Sequence, residues 1–419
     1  MRRLILLGLM AVMVLPAGAA KRITVAQLEQ LLTAATAAHR ADDAFAFQIA
    51  LLELSERLTP ATLGRIEAKL PLGPRTQLAL HLLADQSAFL DPPASELPAT
   101  PAPDAATQQR ILGKARAYVV QTLPHLPDFI ATRTTYRFND SPQTLVENGW
   151  PARAGLHPVG SSTQEITFRE DRLIPATDAT VDTGATVDTA ATSAQKATAS
   201  ASAQKPQKEF GMRTLGGEFG PMLALVLIDT DKGTLAFSRW EQTPAGQLAL
   251  YRFSVPKAAS HYILNYCCLR DQATMGRGGG GGRGRGGGGG GGQALNQPDA
   301  GAQPYLAKPG YHGSLSIDPA TGSILRITVE ADLHDRGPIA LAENEVVYSA
   351  VSIGDRTYVR PIRSVAISQE QPASDPRPGE QPLLLLSETS YTNYHRLGTT
   401  VRILPEGNET PAPSPAPAK

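Results

Sequence analysis

The sequence predicts an α+β protein, with an N-terminal α-helical region followed by an antiparallel β-sheet that carries low-complexity insertions. Three observations lead there. Apolar residues recur every three or four positions up to about residue 121, and from Phe129 onward they alternate with polar ones. Short turn signals separate the alternating segments, which suits a meander better than the long crossovers of a parallel sheet.

The helices come first. Thr24 and Gln27 form a capping-box pattern ahead of Leu28, Leu31, Leu32 and Ala35. The spacing of Ala44, Phe47, Leu51, Leu54 and Leu58 predicts a second helix. Thr59-Pro60 reads as an N-cap followed by proline at the first helical position, opening a third helix through Leu63, Ile66 and Leu70. A fourth is expected from about Arg75 to Phe89, stopped by Asp91-Pro92-Pro93. The helical region thus spans 21–91, and a Pro/Ala-rich linker covers 92–104. One further helix over 105–122, with Leu112, Ala115 and Val119 on one face, opens a second domain that runs to residue 404.

The clearest strand is Leu325, Ile327, Val329, Ala331 and Leu333 alternating with Arg326, Thr328, Glu330 and Asp332, which predicts one buried and one wet face. On that reading Ile327→Glu is severely destabilising and Thr328→Glu nearly neutral. Hairpin turns are expected at Thr243–Gly246, Asp318–Gly322 and Gly354-Asp355, with a fourth at Asp229–Gly233. Ten or eleven strands fit between Phe129 and Leu404. Two insertions are expected to be disordered: 175–208, where Ala-Thr-Val-Asp-Thr occurs twice, and 273–303, which holds the polyglycine tract. The Pro/Ala-rich tail 405–419 is expected to be disordered too.

Residues 1–20 pair Arg2 and Arg3 with an apolar run and a small-residue cleavage site, the pattern of a secretory signal peptide cleaved near residue 20. Periplasmic or secreted protein is the expectation, with no transmembrane segment. The chain carries 39 basic and 39 acidic residues, which excludes a polycation built for nucleic acid. Arg277, Arg283 and Arg285 within polyglycine lack the interleaved aromatics of an RNA-binding segment. Cys267 and Cys268 are read as small apolar residues at the end of a strand over 262–269, since a bridge between neighbours is strained. The eight histidines form no metal-ligand spacing, and no nucleophile elbow is present. Although the polyglycine tract satisfies G-x-G-x-x-G trivially, it neither follows a βαβ strand nor opens a helix, so a dinucleotide site is rejected. No catalytic residue, metal site or cofactor is expected.

The order of segments carries a resemblance. Gly217-Glu218-Phe219-Gly220-Pro221, the strand pair 234–240 and 247–255, Tyr311-His312-Gly313 leading to Ile317–Gly322, Val347-Tyr348-Ser349 with Tyr358–Pro361, and Glu388–Tyr391 with Tyr394 look like a family of uncharacterised exported bacterial proteins. The pattern is also similar to the periplasmic lipoprotein carriers and outer-membrane lipoprotein-sorting proteins, over about residues 129–404. The resemblance implies a curved, unclosed half-barrel whose concave apolar face, covered by helices, holds acyl chains. Candidate residues of that face are Leu325, Ile327, Val329 and Leu333. Two functions follow: a non-enzymatic binder or carrier of an apolar ligand, with lipid, lipoprotein or an envelope protein as partner, or a structural module of the envelope without a small-molecule ligand. A cavity between sheet and helices favours the first, a filled core the second.

Overall fold

The computed structural model describes residues 21–121, 126–142, 155–169, 172–175, 180–182, 211–212, 217–244, 246–267, 269, 304–333, 337–372 and 381–397. Residues 1–20, expected to be a signal peptide, the polyglycine tract and the Pro/Ala-rich tail lie outside them.

The helical region contains β1 (Lys21–Ile23), α1 (Val25–Ala37), α2 (Asp42–Ala50), β2 (Leu52–Leu54), α3 (Pro60–Lys69) and α4 (Pro74–Gln86). Thr24 caps α1 in a reciprocal capping box with Gln27, and the Thr59 hydroxyl accepts from the Thr62 amide at 3.2 Å to start α3. The second helix is shorter than the spacing suggests. Leu52–Leu54 leave it to pair in parallel with Lys21–Ile23, so Phe45 and Ile49 face the core while Phe47 is exposed. Main-chain pairing with β1 thereby overrides a weak helical pattern. Leu28, Leu32, Ile49, Leu63, Ile66, Leu80 and Leu83 make this region's own core.

The linker runs through a single 3₁₀ turn, Ala94–Glu96, to α5 (Ala105–Gln121). The strands that follow are β3 (Phe129–Asn139), β4 (His157–Arg169), β5 (Arg172–Pro175), β6 (Thr180–Asp182) and β7 (Gly211–Met212). A 3₁₀ turn at Gly217–Phe219 leads into α6 (Pro221–Asp229). The rest are β8 (Thr234–Thr243), β9 (Gly246–Val255), β10 (Leu264–Cys267), β11 (Tyr305–Ala307), β12 (Gly310–Ile317), β13 (Ile324–Asp332), β14 (Ile339–Ile353), β15 (Arg356–Glu370) and β16 (Leu383–Arg396).

Ten strands form a curved antiparallel sheet in the order β5-β4-β3-β16-β15-β14-β13-β12-β9-β8, with β6 also paired to β4, and the sheet does not close into a barrel. The last strand, β16, returns to pair with β3 and so lies in the interior of the sheet, between β3 and β15. The turns at 243–246, 318–322 and 354–355 are hairpins, as expected. The Asp229–Gly233 segment is not: Thr230–Lys232 is a 3₁₀ turn ending α6, an apolar nine-residue helix that the turn residues around it conceal. A second sheet, β11-β10-β7, stands apart from the main one. Thr180–Asp182 lies inside the repeat expected to be disordered, yet pairs with β4 through main-chain hydrogen bonds that need no buried side chains. Cys267 is buried and disulfide-bonded, which corrects the reading of two reduced cysteines; Cys268 lies outside the described residues.

Both faces of the sheet are buried over its middle strands. On the inner face Ile327 pairs with Leu315 on β12 and Val346 on β14, under α5 and α6. The outer face, expected to be wet, is covered by the helical region: Leu82 of α4 packs with Phe138, Val365, Ile367 and Leu386. Thr328 is therefore buried, its hydroxyl accepting from the Ser314 amide at 3.0 Å. Charged groups at this interface are paired. Asp85 of α4 binds Arg363, Arg326 binds Glu345 and the Ala88 carbonyl, and Arg57 meets Glu241 at 3.0 Å. Arg363 also reaches Glu388 at 2.8 Å. Burial pushes the Asp85 carboxyl up to about 7 against the pull of Arg363.

Arg363→Met leaves Asp85 buried without its cation and should cost about 3–5 kcal/mol. The double variant Asp85→Leu/Arg363→Met should recover most of that loss in chemical denaturation. Ile327→Glu and Thr328→Glu should both unfold at lower temperature, because each forces a lone carboxylate into a packed face.

A row of titratable groups crosses three strands at one end of the outer face, where His312 pairs with Glu330 and Glu330 with Glu343. His312 sits 2.8 Å from Asp332 and 3.4 Å from Glu330, and its hydrogen bond to Glu330 and that to Asp332 raise it to about 9. Burial, then the Glu330 charge, raises Glu343 to about 8. In both cases the folded chain holds a proton that the unfolded chain releases. The Glu343 contribution falls from pH 4.5 to 8 and the His312 contribution from pH 6.5 to 9. Thermal stability should therefore decline between pH 6 and 9, and Glu343→Gln should flatten the decline.

Candidate functional site on the inner face

The inner face carries two apolar clusters. The larger joins Ile111, Ala115 and Val119 of α5 and Leu223, Val226 and Leu227 of α6 to Tyr251, Phe253, Tyr311, Leu315, Ile327, Val329 and Val346 of the sheet. Periodicity explains this packing: α5 presents residues four apart, and the strands present every second residue. The smaller cluster is aromatic. Phe129 stacks on Phe168 with centroids 5.0 Å apart, and Phe219 meets Phe129, Phe168 and Tyr391 at 5.8, 6.0 and 5.2 Å.

Polar contacts and close glycine approaches fix the cover beyond its apolar packing. Gly220, at φ 139°, turns the chain from Phe219 into α6, a conformation that side-chain-bearing residues rarely adopt. At the other end of α6, Asp229 accepts from the His261 amide at 2.8 Å and from the Tyr311 hydroxyl at 2.9 Å. Lys114 of α5 binds the carbonyls of Pro319 and Ala320 at 3.2 and 2.9 Å. A Cβ on Gly322 would come within 2.5 Å of the Lys114 backbone, so only glycine lets this turn dock on α5.

Charged and phenolic groups lie buried on the strands around the aromatic cluster. Arg133, Glu218 and Arg360 are buried, and so are Tyr348, Tyr391, Thr135, Thr389 and Ser364. Thr135 and Thr389 hydroxyls are 2.9 Å apart, and the Tyr394 hydroxyl donates to the Pro361 carbonyl at 2.6 Å. Burial raises the phenols of Tyr348, Tyr391 and Tyr394 far above their usual value, and the Glu218 charge adds to it. Burial lowers Arg360, against phenols of Tyr118, Tyr394, Tyr348 and Tyr358 that favour its charge.

The four residues singled out from the sequence divide. Ile327 is 0% and Val329 1% exposed, both inside the larger cluster, and Leu333 packs half-buried against it. Leu325 is displaced: the β12–β13 register shifts there, so Ile324 opposes Ile317 and takes the buried place while Leu325 stays half-buried. Around Ile327 and Val329 the face is filled. The polar-aromatic group was not read from the sequence, although Glu218-Phe219, Tyr348, Tyr358, Arg360, Thr389, Tyr391 and Tyr394 all belong to the segments that carry the resemblance; these segments lie far apart in the chain, and nothing local joins them to one another or to Phe129 and Arg133.

A groove of about 850 Å³ also runs beside α1, lined by Glu29, Thr33, Glu56, Arg65 and Glu96 among others. Its charges are internally satisfied: Arg65 binds Glu29 at 2.6 Å, Glu96 accepts from Thr59 and Thr62, and Glu56 accepts from the Val25 amide. Among the described residues no group of three or more His, Cys, Asp or Glu could hold a metal, and no helix is long and apolar enough to cross a membrane.

No protein-family model and no curated protein matches this chain. Among solved structures, a LolA superfamily protein from Nitrosomonas europaea is similar at 11% identity and a TM-score of 0.19, over 69% of this chain and 93% of that one. A likeness at that score says nothing about a ligand.

Phe219 is the residue that joins cover to floor. Phe219→Ala should cost about 3–5 kcal/mol by opening a cavity among three rings. Near-ultraviolet circular dichroism should lose its aromatic bands before the far-ultraviolet signal falls.

Proposed function

We propose that this chain is an exported, non-enzymatic binding protein that takes an acyl-type amphiphile, a lipid or the acylated part of a lipoprotein, onto the inner face of its sheet. The observation that supports this reading is the kind of cover. The face is closed by two separate helices and one turn, of which α6 is nine residues long and begins at Gly220. Displacing Leu223, Val226 and Leu227 from the sheet by an acyl chain exchanges one apolar contact for another. The floor then stays dry, and each methylene taken from water contributes about 0.8 kcal/mol. Binding of this kind needs no catalytic group, cofactor or metal, and the leader-like residues 1–20 suit a periplasmic setting.

A second reading has one observation in its favour. Ile327 and Val329 are fully packed rather than lining a cavity, as in a structural or interaction module of the envelope whose helices and sheet merely bury each other.

Titration with a fluorescent 18-carbon fatty acid, and native mass spectrometry of protein purified from its own envelope, separate the two. A saturable one-to-one complex, or co-purified acyl ligand, is the expected result. Protein that carries no acyl ligand and leaves the probe in water is the module.

A further inference from the structure

We propose that Arg360 is the anion-recognising residue of this inner face, taking the carboxylate or phosphate of the bound amphiphile, and that the Tyr348 hydroxyl is its second donor. The inference rests on the binding reading above and names the chemistry of the ligand's charged end.

Arg360 is 2% exposed. Its guanidinium lies 5.9 Å from the ring centres of both Phe129 and Tyr358. No hydrogen bond or carboxylate reaches it among the described residues, and its Nε is sealed from solvent without an acceptor. The other buried arginines differ: Arg57 has Glu241 at 3.0 Å, and Arg133 is engaged. A buried lysine or histidine can shed its proton, but a guanidinium cannot. An arginine held in place by aromatic rings, with no anion of its own, is therefore a standing cost unless something else supplies the negative charge. Ring contacts of this kind occupy the faces of the guanidinium. Rings supply no oxygen acceptor for its N–H groups, whose planar fork matches two oxygens of a carboxylate or phosphate.

The Tyr348 hydroxyl repeats the observation. It too is buried without a hydrogen-bond partner. Across β14 and β15 Tyr348 stands opposite Pro361 and Ser349 opposite Arg360, so phenol and guanidinium start from neighbouring positions of the ladder. Phe129, whose ring lies beside Arg360, belongs to the same aromatic cluster as Phe219 of the cover. The cation therefore stands where a chain lying on the inner face would bring its polar end.

The test uses the full chain and three probes: cis-parinaric acid, its uncharged methyl ester, and inorganic phosphate. Wild type should bind the acid at least tenfold more tightly than the ester. Arg360→Met should bind the acid no better than the ester, leave ester affinity unchanged, and melt at or above the wild-type temperature because it removes an uncompensated charge. Tyr348→Phe should weaken binding of the acid threefold or more and spare the ester. If no acyl probe binds but phosphate raises the wild-type melting temperature and not that of Arg360→Met, the anion site stands and the amphiphile reading fails. If acid and ester bind equally to wild type and phosphate has no effect, the anion site is overturned while the amphiphile reading stands. Absence of any binding overturns both. Should Arg360→Met fail to fold, Tyr348→Phe decides: loss of preference for the acid supports the proposal, and an unchanged preference overturns it.

Discussion

An open antiparallel sheet presents alternate residues to two sides, and in this protein both sides are covered over the middle strands. Much of the rest of the molecule answers that constraint. The helical region exists as a separate core of Leu and Ile residues, yet α4 lends Leu82 and Asp85 to the sheet's outer face. Polar strand residues that would ordinarily meet solvent become interior groups. Each must then find a partner, and so Arg326, Glu345, Arg363 and Glu388 are arranged in pairs along neighbouring strands.

The two faces are covered by different chemistry. Outside, the contact combines apolar packing with ion pairs whose separation would strand a charge in the interior, which ties the helical region rigidly to the sheet. Inside, the cover is mainly apolar, and apolar contacts carry no directional demand. A helix resting on such a surface can be exchanged for another apolar object at little cost in hydration. The outer clamp thus fixes the curved floor by paired charges, whereas the inner cover meets it mainly through apolar packing.

The inner face nevertheless contains charge. Glu218, Arg133 and Arg360 sit among tyrosines whose phenols burial keeps neutral. Rings around a guanidinium reduce its exposure without neutralising it, so they orient the cation and leave its need for an anion intact. This combination of an apolar floor and an oriented, unneutralised cation is suited to a molecule that is apolar along most of its length and acidic at one end.

Local sequence determined a good deal: the capped starts of α1 and α3, the three hairpins, the change from helical to alternating periodicity at Phe129, and the α+β class. Those features depend on interactions within a few residues, which the sequence displays directly. The register error at Leu325, the strand made by Leu52–Leu54 and the short helix α6 depended instead on what lies alongside. Thr328 shows the limit most plainly. Alternation correctly set it on the opposite face from Ile327, but only the arrival of α4's neighbourhood on that face made it buried. The gathering of Phe129, Glu218, Tyr348, Arg360 and Tyr391 was likewise decided by tertiary structure. Strand pairing joins β3 to β16 across some 250 residues of chain, and no local pattern records which residues such pairing brings together.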